Sequence, residues 1–169
     1  TYDTLFLTGL RIGELCALRW CDLDLEHKKL SVRGSFSTAS RKVTSPKTKT
    51  SIRTIDLPNR LVEELKQRYE RKKKLDGFND NYYVFGDIAI TWPGTFRYRF
   101  NNDLKNVNVK HITIHGFRHS HASYLLSNPM ISESLVAERL GHSIDMLRST
   151  YAHIYEKRRT ALVEYIEKL

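Results

Sequence analysis

Cysteine is scarce in this chain of 169 residues: there are two, Cys16 and Cys21, close together, with no second pair elsewhere. That excludes a disulfide framework and a four-ligand zinc site built on cysteine pairs. An intracellular, reducing compartment, the cytoplasm, is the expected setting. Long apolar runs are missing too. None approaches the roughly 20 residues of a bilayer-crossing helix, so no membrane partner is expected. There is no leader pattern, no internal repeat and no low-complexity linker. Acidic residues are outnumbered, with 19 Asp and Glu against 28 Lys and Arg, which leaves a net charge of +9.

That charge favours a polyanionic partner, most often DNA or RNA. An acidic protein partner or plain solubility would also use it. The length suits one domain with a sizeable core, and a 40% hydrophobic content predicts that it folds. Thr1-Tyr2-Asp3-Thr4-Leu5-Phe6 reads as the middle of a helix, so the chain is expected to be a piece of something longer.

The periodicity predicts an α+β fold, mainly helical with a small antiparallel sheet. Residues 2–7 end one helix, Thr8-Gly9 marks a turn, and a second helix runs from Arg11 to about Trp20. Over residues 28–57 the period shifts towards two, which predicts two or three short strands with Ser45 to Ser51 as a turn. Residues 59–75 read as a charged helix, Tyr82-Tyr83-Val84-Phe85 as a short β-like run, and 94–106 as a basic helix. Four more helices are expected over 115–127, 132–140, 144–150 and 155–168.

Six residues carry the chemistry: Arg11, Lys47, His115, Arg118, His142 and Tyr151. Metal-free cleavage of a phosphodiester needs an in-line nucleophile, donors for the charge growing on the non-bridging oxygens, and a proton for the leaving oxygen. Guanidinium groups match phosphate oxygens bidentately and stay charged. A tyrosine, with an ordinary pKa near ~10, needs positive charge or a base beside it. Lys or His can protonate the leaving oxygen. His115 and Arg118 share a face at a helix start, and His121 continues the stripe. Nine residues separate His142 from Tyr151, about two and a half turns, so the bends between must bring them together. Neither metal nor cofactor is called for.

Thr8-Gly9-Leu10-Arg11-Ile12-Gly13-Glu14, Pro46-Lys47-Thr48 with Arg53, His115-Gly116-Phe117-Arg118-His119, Leu140-Gly141-His142 and Thr150-Tyr151-Ala152-His153 stand in the order seen in one family. Together these blocks, spanning nearly all the chain, resemble the catalytic domain of the tyrosine recombinases, the phage integrase family. The resemblance implies a single catalytic domain over residues 1–169, with the N-terminal DNA-binding regions absent. It implies a site-specific recombinase or integrase that works through a 3′-phosphotyrosyl DNA intermediate, in a bacterial or phage-infected host. Arg11 and Arg118 would clamp the scissile phosphate. Lys47 would protonate the leaving oxygen, with Lys49 as its rival because the hairpin register is open. His115 would be the acid/base partner near the nucleophile, His142 would bond the phosphate, and Tyr151 would attack. Glu14 would orient a group of the site.

Outside the six, Arg41, Lys42, Lys49, Arg97, Arg99 and Lys110 are candidate contacts to double-stranded DNA. The C-terminal helix is amphipathic, with Leu162, Ile166 and Leu169 on one stripe. It either covers its own core or, as the resemblance implies, docks on a neighbouring copy in a tetramer on DNA. Two enzyme rivals stay open: a type IB topoisomerase-like enzyme, and a nuclease holding Mg²⁺ on Asp22, Asp24 and Glu26. A DNA-binding module without catalysis is the third rival, and it leaves Tyr151, Lys47 and the arginine pair without a use.

Overall fold

The computed structural model describes residues 1–45, 52–105, 107–109 and 111–168. Helix α1 (Tyr2–Thr8) stops at Gly9, and α2 (Ile12–Ala17) follows directly. The second helix ends three residues before the expected Trp20, because Leu18 turns extended and Trp20–Asp22 form a 3₁₀ turn.

Five strands follow among the described residues. β1 (Leu23–Asp24), β2 (Lys29–Val32) and β5 (Arg53–Asp56) form one antiparallel sheet, with Leu30 opposite Ile55 and Val32 opposite Arg53. β3 (Ser35–Ser37) and β4 (Lys42–Thr44) make a separate hairpin. The described residues of the span read as two or three strands therefore hold four. β4 is exposed throughout, so no apolar alternation marks it. On β2 and β5 the alternation is clean: Leu30, Val32, Arg53 and Ile55 face inward.

Helix α3 (Asn59–Lys73) buries Leu61, Val62 and Leu65 and shows its charges to water. Tyr82 to Phe85 forms no strand; a single bridge joins Tyr83 to Arg19, flanked by Trp20 N–H to Tyr82 O and Val84 N–H to Leu18 O. Helix α4 (Pro93–Lys105) buries Phe96 and Phe100, one turn apart.

Three of the last four helices have side-chain caps at their starts. Thr113, Ser132 and Ser143 accept from the N–H groups of Gly116, Leu135 and Met146, which opens α5 (Ile114–Ser127), α6 (Glu133–Leu140) and α7 (Ile144–Thr150). Gly141 ends α6 at φ 65°, a left-handed position. Helix α8 (Ala152–Ile166) begins three residues before the expected 155, directly after Tyr151.

Two apolar cores result. The first joins α1 to α4 and the sheets around Leu5, Leu15, Leu30, Ile55, Leu65 and Phe100. The second is smaller and wholly helical: Ala122, Leu126, Val136, Ala137, Leu140, Leu147, Tyr151 and Ile154. Helix α5 belongs to both, with Ile114 in the first and Ala122 and Leu126 in the second. The far half of α8 joins neither core: Leu162, Val163, Tyr165 and Ile166 are all more than half exposed.

Candidate active site

The site lies where α5 joins the two cores. Gly9 ends α1 in left-handed backbone, at φ 68°. A Cβ there would lie 2.6 Å from His121 Cδ2 and 2.8 Å from Leu140 Cδ2, so glycine lets the end of α1 close on α5 and α6. The Gly9 carbonyl then accepts from Arg118 Nη1 at 2.6 Å. Arg118 Nη2 donates to Leu140 O at 2.7 Å and to His142 Nε2 at 2.8 Å. One buried guanidinium thus ties α1 to α6 and touches His142.

Arg11 caps α2. Its N–H donates to Glu14 Oε2 at 2.8 Å and its Nη1 to Oε1 at 3.0 Å. Glu14 is buried, and Arg53 reaches it from β5 with a two-pronged fork at 3.1 and 2.9 Å. Arg53 Nε also donates to Arg139 O at 2.7 Å. Burial alone would raise the Glu14 carboxyl. Hydrogen bonds and charge from Arg53, with the backbone bond and charge of Arg11, hold it below the ordinary carboxylate range. The anion is therefore kept, and it fixes two arginines.

This concentration of positive charge moves its neighbours. Burial, with the charge of Arg11 behind it, pulls Arg118 down to about 10, so it remains a cation at neutral pH. Burial and then the charges of Arg118, Arg11 and Arg53 push His142 down to about 4. His142 is thus neutral. Arg118 can only donate, so His142 Nε2 accepts and the ring proton sits on Nδ1, which has no partner among the described residues.

Tyr151 ends α7 and opens α8, with 2% of its surface exposed. Its Oη lies 3.2 Å from His119 Nδ1. Burial raises the phenol pKa, and the Arg118 charge opposes that rise. So α5 unites the pair that sequence spacing left apart: Arg118 takes His142 and the next residue, His119, takes Tyr151.

The sequence profile of the Phage integrase family matches residues 2–158, most of the chain. The chain belongs to the phage integrase family. Within that family it is 30% identical to the ICEBs1 integrase of Bacillus subtilis over 99% of this chain and 48% of that protein. It is also 30% identical to a XerC-like tyrosine recombinase of Caldanaerobacter subterraneus subsp. tengcongensis, over 97% of this chain and 47% of that one. The chain spans about half the length of the curated relatives it matches. Among solved structures it resembles the Tn1549 transposon integrase in complex with circular intermediate DNA, at 25% identity and TM-score 0.71, over 98% of this chain and 58% of that one. The fold also matches XerA recombinase, at 24% identity and TM-score 0.69, over 93% of this chain and 56% of that one.

For this integrase-family chain the structure brings Arg11, Arg118, His142 and Tyr151 around one end of α5. His115 sits there too, exposed, its ring edge-on to His119 with centroids 4.6 Å apart. Lys47, Lys49 and Lys110 lie outside the described residues. His121 leaves the stripe read from the sequence; it is buried against Arg139, whose Nε donates to its Nε2 at 3.1 Å. Arg41 is in the tight turn between β3 and β4, its guanidinium 5.7 Å over the Trp92 ring, and Lys42 is exposed on β4. Arg97 and Arg99 part company on α4. Arg97 lines a cavity of about 430 Å³ with Asn101, His111, Thr113 and His115, while the Arg99 charge reaches Tyr2.

The carboxylates weighed as an Mg²⁺ site are used locally: Asp22 accepts from Arg19 N–H at 3.0 Å and Asp24 from His27 N–H at 2.9 Å. Among the described residues no cluster of three or more metal-ligating side chains occurs, and no helix is long and apolar enough to cross a membrane. Sequence reasoning missed two roles. Arg53 shares the inward parity of Ile55 and Leu57, which marks an arginine in need of a buried anion. His119, one turn after His115 and next to Arg118, went unused as a site residue.

Proposed function

We propose that residues 1–169 are the catalytic part of a site-specific DNA recombinase that breaks and rejoins strands through Tyr151. The observation that carries this reading is the pairing along α5, where consecutive residues hold the phosphate-matching group and the phenol. Double-stranded DNA is the partner, in the cytoplasm of a bacterial or phage-infected host. The net charge of +9 and the DNA held by the Tn1549 integrase support it.

The scissile phosphate would sit between Arg11 and Arg118. Of the five N–H groups of an arginine, Arg118 uses three on Gly9, Leu140 and His142, which leaves two for phosphate oxygens. Carbonyls hold that guanidinium in place, so it does not reorganise as charge develops. An arriving phosphate would offset the cations around His142, so that the ring can take up a proton from solvent at Nε2, release the Arg118 hydrogen it accepts, and donate to a phosphate oxygen. Tyr151 Oη attacks phosphorus, the bond to the 5′ oxygen breaks, and Lys47, or Lys49 in its stead, supplies that oxygen with a proton. The ester energy stays in the 3′-phosphotyrosine. A second 5′ hydroxyl reverses the step, so no external energy source is required.

The partner copies of a tetramer would dock through α8, whose Leu162, Val163 and Ile166 are left exposed by their own fold. The decisive test is a nicked suicide duplex, which loses the fragment carrying the attacking 5′ hydroxyl. The wild-type chain accumulates a covalent adduct that survives denaturation and forms in EDTA. Tyr151→Phe forms none. An adduct that persists in Tyr151→Phe rejects the reading.

A further inference from the structure

We propose that His119 is the base that takes the phenol proton of Tyr151; the inference rests on the nucleophilic role proposed for that tyrosine. The geometry is direct. His119 Nδ1 lies 3.2 Å from Oη, hydrogen-bond distance, with the two rings 5.8 Å apart and inclined at 60°. In the neutral ring protonated at Nε2, Nδ1 accepts and the phenol donates. His119 is exposed whereas Tyr151 is buried, so a proton drawn from the enclosed phenol arrives on a ring open to water. His115 comes one turn earlier on α5 and abuts the His119 ring edge-on, with an interplanar angle of 87°. It packs the base in place. The position beside the nucleophile, which family resemblance would give to His115, is held here by His119.

The groups set around His119 are His115 from its own helix and Tyr151 from the α7–α8 junction. Arg118 acts on both of these, and Arg11 reaches His115. The Arg118 charge opposes the rise of the phenol pKa, so it favours the phenolate that the transfer creates. The step balances. The phenol O–H breaks and its proton goes to Nδ1, Oη bonds to phosphorus, and the P–O5′ bond breaks with its own proton from the lysine. In rejoining, the incoming 5′ hydroxyl gives its proton back to the lysine and bonds to phosphorus, the P–Oη bond breaks, and His119 returns the phenol proton to Oη.

The probe is a pool of nicked duplexes randomised around the nick, from which the wild-type chain first selects the adduct-forming members. These are made with either oxygen or sulfur at the bridging 5′ position. A sulfur leaving group needs no proton, so the sulfur version removes any demand for the acid and isolates the base. His119→Gln should slow single-turnover adduct formation about 100-fold on both versions. In the wild type the logarithm of the rate climbs with pH and levels once the base is unprotonated; in His119→Gln it keeps climbing towards the phenol range. His119→Ala should recover at least tenfold with free imidazole, which a packing role would not allow. The inference is overturned if His119→Gln stays within about threefold of wild type on the sulfur version, or keeps the wild-type pH profile. It also falls if imidazole does nothing for His119→Ala. A wild type without adduct, or an adduct in Tyr151→Phe, fails at the earlier step: it removes the nucleophile itself, and this inference with it.

Discussion

In the first core the functional side chains are charged and hold one another; in the second they are held by apolar packing and by α5. Glu14 fixes Arg11 and Arg53 through four hydrogen bonds from the two arginine side chains and one backbone N–H, all inside or at the edge of a large β/α core. Tyr151 is one of the eight buried residues of the core that α5 to α8 build. The difference teaches how the two tasks separate. A phosphate clamp must not reorganise as charge develops, and the buried ion pairs and carbonyl bonds around the proposed clamp arginines suit that demand. The proposed nucleophile has one oxygen to present and one proton to lose, for which packing and a single histidine would suffice. Arg118 belongs to both sides, with Gly9 from the first and Leu140 and His142 from the second.

The sharpest way to break this comparison is to remove each clamp arginine in turn. Arg118→Ala and Arg11→Ala should each lower the adduct rate by about 10²- to 10³-fold, the scale for losing a preorganised donor. They should differ in stability. Arg118→Ala leaves the buried Gly9 and Leu140 carbonyls without their donor, at about 1–3 kcal/mol each. The Arg11 side chain is 37% exposed and holds no carbonyl, so its loss should barely move the melting temperature. Equal melting shifts would show that Arg118 does not join the cores.

Glu14→Gln comes next. It removes the anion between two arginines and leaves Arg53 buried, with a stability loss of about 3–5 kcal/mol. Denaturant unfolding measures it. A loss below about 1 kcal/mol would mean that the carbonyl of Arg139 and its surroundings hold Arg53 without the carboxylate.

Acid should probe the seam between the cores with a smaller effect. Burial, then the Arg139 charge, pushes His121 from the ordinary 6.5 down to about 4, and His142 is pushed equally low. Both pKa values are lower folded than unfolded, so the unfolded chain binds more protons. The sign follows: stability is full above pH 6.5 and is lost as pH falls towards 4. For His121 the loss reaches up to about 3 kcal/mol. His121→Gln keeps an acceptor for Arg139 and should flatten that part of the curve. An unchanged acid limb would place the pH dependence on His142, with Glu14 adding to it at lower pH.

Much of this was legible in the sequence, for local reasons. Thr113, Ser132, Ser143, Gly9 and Gly141 mark helix ends by backbone chemistry that depends on few neighbours, and those ends fall near where they were read. Arg11, Arg118, His142 and Tyr151 were legible through their blocks. The hairpin β3–β4 was not: its strands are three residues long, Phe36 is its one buried side chain and β4 is exposed throughout, so no period marks it. Tyr82 to Phe85 looked like a strand, yet Val84 and Phe85 are buried by packing and a single bridge rather than by a ladder. The spacing of His115, Arg118 and His121 puts all three on one stripe of α5. It does not reveal that His121 faces Arg139 while His119, one turn after His115, meets the phenol, because that depends on where α6 and α7 pack.

The smallest effect concerns the surface proposed to face DNA, beside the first core. Arg97 and Arg99 stand two residues apart on α4, about 200° around the helix, so they cannot serve one duplex equally. Arg97 shares a cavity with His115, at the site end, while Arg99 lies towards Tyr2 and Asp103. Arg97→Ala should therefore reduce the slope of log affinity against log salt by about 0.9 and weaken binding roughly fivefold at 0.15 M salt. Arg99→Ala should leave the slope nearly unchanged. Fluorescence anisotropy with a labelled duplex over a salt series separates the two. If the arginines lower the slope equally, the duplex spans both sides of α4 and the site does not confine it to the Arg97 face. If neither does, the path along the backbone runs instead over β3–β4, where Arg41 and Lys42 are exposed.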